Sequence, residues 1–341
     1  MVEKHIYTPI LLLDMPFYPG KCLEQIEHIE NTASRDIAMM QYYYFTCHHE
    51  QAAEIAAKYL EFEDLKIRIV ALLIFTFASM AVGDAKRARK GKADLKKLAA
   101  RQNDFSKESG IPLMLSAAKM VLHIPVTEDE RKMISEQIEV CDEGGRLLCC
   151  YLLEQKSWIN REYERIIGAV ETAVHMMKKS YPLITLYFYL SASEEALNLK
   201  DMKLAEMYFQ KAWDLAEKDG FIGPVGEMQG HLQIFLEKKV KKENPTMYKR
   251  IMQVTHQYRT GWCEIICGEI YPREEYQKKN MREKLTGMEY AVGFLAGQGW
   301  SNQEISDYFN ISVRTVKYYM TTVFSKLNIS GRREIYKLLL D

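Results

Sequence analysis

The chain has 341 residues, more than one ordinary hydrophobic core holds, so two or more units are expected. Lysine plus arginine and aspartate plus glutamate each total 46, so the net charge is zero and wholesale cationic attraction to nucleic acid or an anionic membrane is excluded; any DNA contact has to come from a local patch. Hydrophobic residues make up 48% and charged residues 27%, the balance of a soluble globular protein, and the longest apolar stretch, residues 70–82, falls well short of the roughly 20 residues a spanning helix needs.

At the N-terminus the apolar run 10–13 is too short for the core of a signal peptide and ends in Asp14, which predicts a cytoplasmic protein with no membrane partner. The pair Gly20-Lys21 is not a phosphate loop. Such a loop needs a glycine five residues before its second glycine and Ser or Thr after the lysine, and Met15 and Cys22 stand there. From this point to about residue 270 the chain reads as helix. Apolar residues recur at three- and four-residue steps, and breakers fall at intervals: Gly83, Gly110, Gly144, Gly145, Pro182, Gly220, Pro224, Pro245 and Pro272.

The predicted helices come in pairs: 35–46 with 50–60, 64–80 with 84–100, and 147–156 with 160–178. The clearest pair is 183–199, a turn at 200–201, then 202–218. Tyr189, Ala192, Ser193 and Ala196 share one face of its first helix, and Ala205, Phe209 and Ala212 one face of its second. Small residues let two helices approach closely while the large ring fills the gap beside them. This pair resembles the tetratricopeptide repeat, and the others resemble degenerate copies of it at the period of about 34 residues. The resemblance implies a helical solenoid; an irregular helical bundle is the alternative.

Several groups read as structural rather than chemical. Seven cysteines, an odd number without a small-domain framework, predict reduced thiols, and adjacent Cys149 and Cys150 in an apolar helix predict core packing. The basic run from Lys86 to Lys97 reads as a solvated helix face. His256, Cys263 and Cys267 share a helical face, but they are only three and have aromatic and aliphatic neighbours, so core packing is preferred to a metal site. His48 and His49 fall at an inter-helix turn and are expected to be solvated. No Ser/His/Asp grouping or paired-carboxylate motif appears, so no enzyme, catalytic residue, cofactor or metal is predicted.

Residues 272–284 are charged, follow a proline and carry no apolar stripe, so they are predicted to link a domain at 1–271 to one at 285–341. In the last segment Thr286 with Glu289, and Ser301 with Glu304, have capping-box spacing. They predict a first helix from Gly287 to about Gln298 and a second carrying Ile305 and Phe309. A tight turn at Asn310 and Ile311 leads to Ser312 as the cap of a third helix at 313–327, with Val316, Met320, Val323 and Leu327 facing inward. A fourth helix follows Gly331, with Ile335, Leu338 and Leu339 inward. Two short helices across a tight turn, the second longer and basic, have the helix-turn-helix layout. From Tyr308 to Arg333 there are basic residues, Arg314, Lys317, Lys326, Arg332 and Arg333, and no acidic one. A phosphate-facing surface needs such a stretch, because binding gains from counterion release.

This segment resembles the LuxR-type (GerE-type) helix-turn-helix. Leu285-Thr286, Glu289, Val292, Gly299, Ser301-Asn302, Glu304-Ile305, Ile311-Ser312, Thr315-Val316-Lys317, Lys326-Leu327, Ile329 and Arg332 fall in the family's register. Tyr318 and Tyr319 depart from it, since other residues usually follow Thr-Val-Lys there. The resemblance implies that Lys317 faces guanine in the major groove, with Tyr318 and Thr321 at base edges and Arg314 at base or phosphate. Asn302, Thr315, Lys326 and Arg332 are implied to contact phosphates.

The whole chain then reads as all-α: a tetratricopeptide-like solenoid followed by a four-helix LuxR-type domain, similar to MalT-like regulators without their ATPase. This implies a regulator that binds double-stranded DNA as a homodimer, with an unidentified small-molecule or protein effector on the repeats and RNA polymerase as a further candidate partner. A repeat scaffold whose terminal helices bind a protein is the alternative.

Overall fold

In the computed structural model, helix follows helix through residues 11–106, 109–122, 126–159, 162–262, 284–332 and 334–335, the residues it describes, and these contain no strand. The order is α1 (Cys22–Glu27), α2 (Thr32–Phe45), α3 (His49–Ala57), α4 (Leu65–Ala81), α5 (Ala85–Ala99), α6 (Ile111–Val121), α7 (Glu128–Gln137), α8 (Glu143–Ile159), α9 (Tyr163–Met176), α10 (Pro182–Asn198), α11 (Met202–Asp219) and α12 (Ile222–Glu227). Then come α13 (Gln229–Phe235), a π-helical turn (Leu236–Val240), α14 (Lys241–Glu243), α15 (Pro245–Trp262), α16 (Gly287–Gly297), α17 (Asn302–Phe309) and α18 (Val313–Leu327). The contacts divide the chain into two compact units, Met1–Glu227 with Val254–Ile266, and Met228–Gln253 with Cys267–Asp341. The expected linker at 272–284 lies, but for Lys284, outside the described residues, as do Cys263, Cys267, Arg333, Leu338 and Leu339.

In the first unit the expected pairs form, and three of them are joined by one recurring turn. Cys47, Gly83 and Lys200 each take the left-handed conformation, with φ of 63°, 78° and 63°. The next residue's amide then reaches the carbonyl five back: His48 to Tyr43, Asp84 to Ser79, and Asp201 to Ala196. This closes the orphan carbonyls of a helix end. At two of the turns that next residue is an aspartate whose side chain caps the following helix: Asp84 accepts from Arg87 N at 2.9 Å and Asp201 from Leu204 N at 3.0 Å. Within the α10/α11 pair Ala192, Ser193, Ala196, Ala205 and Ala212 are wholly buried, and Ser193 Oγ donates to Ala205 O at 2.8 Å. The small residues thus permit the close approach expected of them.

Burial separates the members of two of the pairs. α4 is buried on nearly every side from Ile69 to Ala81, and α10 from Pro182 to Leu197. α5 buries one stripe, Ala88, Gly91, Lys92 and Leu95, and α11 one centred on Ala205, Phe209 and Ala212. A helix apolar all round has neighbours all round; a one-striped helix faces solvent. Accordingly α2, α4, α6, α8, α10 and α12 touch in that order as an inner wall, with α3, α5, α7, α9 and α11 between and outside them.

The stack also closes, because α12 returns to α2. Phe221, fully buried, meets the rings of Phe17, Tyr42 and Phe45 at 6.2, 6.1 and 6.5 Å. Gly223 lets α12 lie against α2; a Cβ there would stand 2.9 Å from Phe45 O. Asp219, at the end of α11, accepts from Gly20 N at 2.7 Å and Cys22 N at 3.0 Å. An open solenoid leaves an apolar face at each end that needs a cap. Here the first and last pairs cover each other.

Two expectations for small groups differ. His49 opens α3 and is buried rather than solvated, with its ring 5.6 Å from that of Tyr44. His256 is exposed on α15 rather than packed in a core. Cys149 is buried as expected, and Lys86, Arg89, Lys90, Lys96 and Lys97 are exposed, whereas Lys92 is buried.

Candidate nucleic-acid interface

The second unit is built around α16, buried continuously from Glu289 to Ala296 and packed on α18 and α13. Its start is set by a capping box: Glu289 N donates to Thr286 Oγ1 at 3.4 Å, and Thr286 N to Glu289 Oε2 at 2.7 Å. α17 starts with the same device, Glu304 N to Ser301 Oγ at 3.2 Å and Ser301 N to Glu304 Oε2 at 2.6 Å. The Ser301 amide and hydroxyl hold the Glu304 carboxyl below its ordinary value. Asn310 then turns left-handed at φ 53°, and Ile311 N returns to Ser306 O at 3.1 Å. Ser306 Oγ donates to Ile311 O at 2.5 Å, so both polar groups of Ile311 are tied to α17. Ser312 caps α18 by accepting from Thr315 N at 3.0 Å. The three helices, their caps and the turn therefore lie where the spacing predicts. Of the fourth, Ile335 is buried as expected; the residues beyond it lie outside the described ones.

α18 has two faces. Val316, Met320, Val323 and Leu327 are buried against the unit. Arg314, Lys317, Tyr318 and Thr321, at steps of three, four and seven, form one exposed stripe on the far side. Tyr318 is 66% exposed, which is rare for so large a ring. The Thr321 hydroxyl donates to Lys317 O at 3.0 Å, which folds it onto its own helix until another acceptor is offered. No carboxylate lies between Tyr308 and Arg332.

The other predicted contacts are engaged within the unit. The Lys326 ammonium donates to both carboxylate oxygens of Glu289 at 2.7 and 3.0 Å, and clamps the end of α18 to the start of α16. Glu289 is buried, and burial, the largest influence, would raise its carboxyl; the bonds from Lys326 and Thr286 outweigh it and the net shift is downward. Arg332 donates from Nη2 to Asn302 Oδ1 at 2.8 Å, so two of the predicted phosphate contacts are brought together; burial lowers the guanidinium's pKa. Thr315 shares a hydrogen bond of 2.7 Å with Ser312 Oγ.

Residues well before this segment complete the unit, and the sequence reading missed them. Glu237, buried in the π-helical turn, accepts from Gln233 Nε2 at 3.1 Å, Lys241 Nζ at 2.6 Å and the Tyr248 hydroxyl. Gly287, the first residue of α16, sits on this network: a Cβ there would be 2.2 Å from Glu237 Oε1 and 2.4 Å from Gln233 Nε2. Lys238 Nζ lies 3.9 Å from the ring centre of Tyr308, just before the turn into α18. In the sequence only the glycine at the first helical position hints at this seat, and a helix start accepts glycine with or without a close neighbour.

A family model described as bacterial regulatory proteins, luxR family (GerE), matches residues 279–339. The response regulator protein VraR of Staphylococcus saprophyticus is 34% identical over 58 residues, covering 17% of this chain. The chain spans 28% of the length of that curated relative. No solved structure matches the chain. No helix among the described residues is long and apolar enough to cross a membrane.

Proposed function

With residues 279–339 identified as a LuxR-family helix-turn-helix domain, we propose that the protein is a sequence-specific transcription regulator that lays α18 in the major groove of double-stranded DNA. The observation that carries this reading is the exposed stripe Arg314, Lys317, Tyr318 and Thr321 on a helix within a segment, residues 309–332, that contains no carboxylate. Lys317 and Arg314 offer donors to guanine O6 and N7 or to phosphate, and Tyr318 and Thr321 extend the readout along the groove. Asn302 with Arg332, Thr315 and Lys326 flank the stripe and fix register on phosphates. For Lys326 this means sharing its ammonium with Glu289, and the two interactions compete.

The protein works as a homodimer on half-sites about one helical turn apart, in the cytoplasm, and RNA polymerase is its candidate partner in transcription. The helical ring carries the effector control. An effector can do this only by binding one state of the regulator more tightly than another.

The test uses DNA selected from a random-sequence pool by the full chain. Arg314→Ala with Lys317→Ala lowers affinity for that DNA by roughly tenfold to several hundredfold, since a good base contact contributes about 1–3 kcal/mol. It also flattens the dependence of log affinity on log salt by about one to two units. Unchanged affinity would sink the groove assignment. A wild-type chain that binds no DNA at low salt would favour the scaffold reading.

A further inference from the structure

We propose that Lys238, Lys239 and Lys242, on the π-helical turn and α14, form a second DNA contact that grips phosphates flanking the groove entered by α18. The proposal deepens the DNA-binding reading and rests on it. It extends the interface to a stretch that lies before residues 279–339, the segment matched by the family model.

Residues 228–253 belong to the same compact unit as α16, α17 and α18. They carry six basic side chains, Lys238, Lys239, Lys241, Lys242, Lys249 and Arg250, against two acidic ones, Glu237 and Glu243. Both acids are already matched: Glu237 accepts from Lys241 Nζ at 2.6 Å, and Glu243 lies 3.7 Å from Lys239 Nζ. What remains is an excess of positive charge. The chain as a whole is neutral, so a polyanion can be held only by a local excess of this kind.

The excess stands next to the helix-turn-helix. Lys238 Nζ lies over the ring of Tyr308, and Tyr308 is followed within two residues by the left-handed Asn310 that turns α17 into α18. Lys242 follows Lys238 by four residues and Lys239 by three, so the three share one face of the helical run 236–243. Lys241 is drawn the other way, to buried Glu237, while Lys242 is exposed. Nearby on α17, Glu304 and Asp307 are engaged by Ser301 N at 2.6 Å and Gln303 Nε2 at 2.8 Å. Like charges one turn apart repel, so Lys238 and Lys242 weaken their own helix. A row of phosphates relieves that repulsion and releases counterions. A groove that receives a helix is walled by phosphates on both strands, so a basic face beside the start of α18 meets one of those walls.

The test is DNA binding of the full chain across a salt series, on the duplex it selects and on an unselected one. Lys239→Gln with Lys242→Gln spares the Lys238–Tyr308 contact and the Glu237 network. It lowers affinity for both duplexes by the same factor, about thirtyfold near 0.15 M salt, and flattens the slope of log affinity on log salt by about two units. The preference for the selected duplex holds, whereas Arg314→Ala with Lys317→Ala reduces it. Lys242→Gln alone flattens the slope by about one unit and serves if the double variant does not fold. Lys86→Gln with Lys90→Gln, an exposed basic pair on α5 of the first unit, changes neither quantity. Unchanged affinity and slope in the Lys239 and Lys242 variants, or an equal effect from the α5 pair, overturns the phosphate contact and leaves the groove reading standing. A wild-type chain that binds neither duplex at low salt overturns both.

Discussion

Among single residues, Glu289 carries two duties in the DNA-binding unit. It closes the box that starts α16 and holds the ammonium of Lys326 at the end of α18. Its carboxyl is depressed below 4.5 in the folded chain, so it contributes stability that is present above that value and lost as pH falls through the lower folded one. Lys326→Met should therefore cost about 1–2 kcal/mol at neutral pH. That is less than the figure for a fully buried pair, because Lys326 is 35% exposed and solvent screens it. Denaturant unfolding at pH 7 and again below pH 4 checks this. A loss of stability equally large at both would show that packing of the lysine stem, not its charge, holds α18. If Lys326 also touches phosphate, the same variant loses part of the salt dependence of DNA binding.

Individual helices owe their ends to local chemistry and their neighbours to shape. The boxes at Thr286 and Ser301 and the left-handed Asn310 were legible because capping needs particular side chains at fixed spacing. The stripe on α18 was legible for the same kind of reason: buried positions at steps of three and four leave the others to solvent. The seat of α16 was not legible, since a π-helical turn and the side chains of Gln233, Glu237 and Tyr248 meet Gly287 only in space. Gly287→Ala should push its methyl into that network and cost about 1–3 kcal/mol, the usual range for overpacking. Thermal unfolding of the variant decides it. An unchanged Tm would mean that the Glu237 side chain swings aside freely and that the seat is loose.

For the molecule as a whole, the closure of the first unit rests on few contacts between residues far apart in the chain. Asp219 binds the amides of Gly20 and Cys22, and its loss leaves two amides without their acceptor. Asp219→Ala should cost about 3–6 kcal/mol, as hydrogen bonds to a charged group contribute about 1.5–3 kcal/mol each. Proteolysis near residue 20 should accelerate with it; an unchanged digestion rate and Tm would deny the aspartate its role in closing the ring. The all-helical class, the helix pairs, the turn chemistry and the acid-free α18 are set by short-range rules, in which each residue acts on neighbours within one or two turns. Those rules operate along the chain, so the amino-acid order alone determined them. The return of α12 to α2, the clamp of Lys326 on Glu289 and the seat under Gly287 each join residues tens to hundreds of positions apart. Only packing in three dimensions decided them, because no periodicity encodes which distant surfaces will exclude water together.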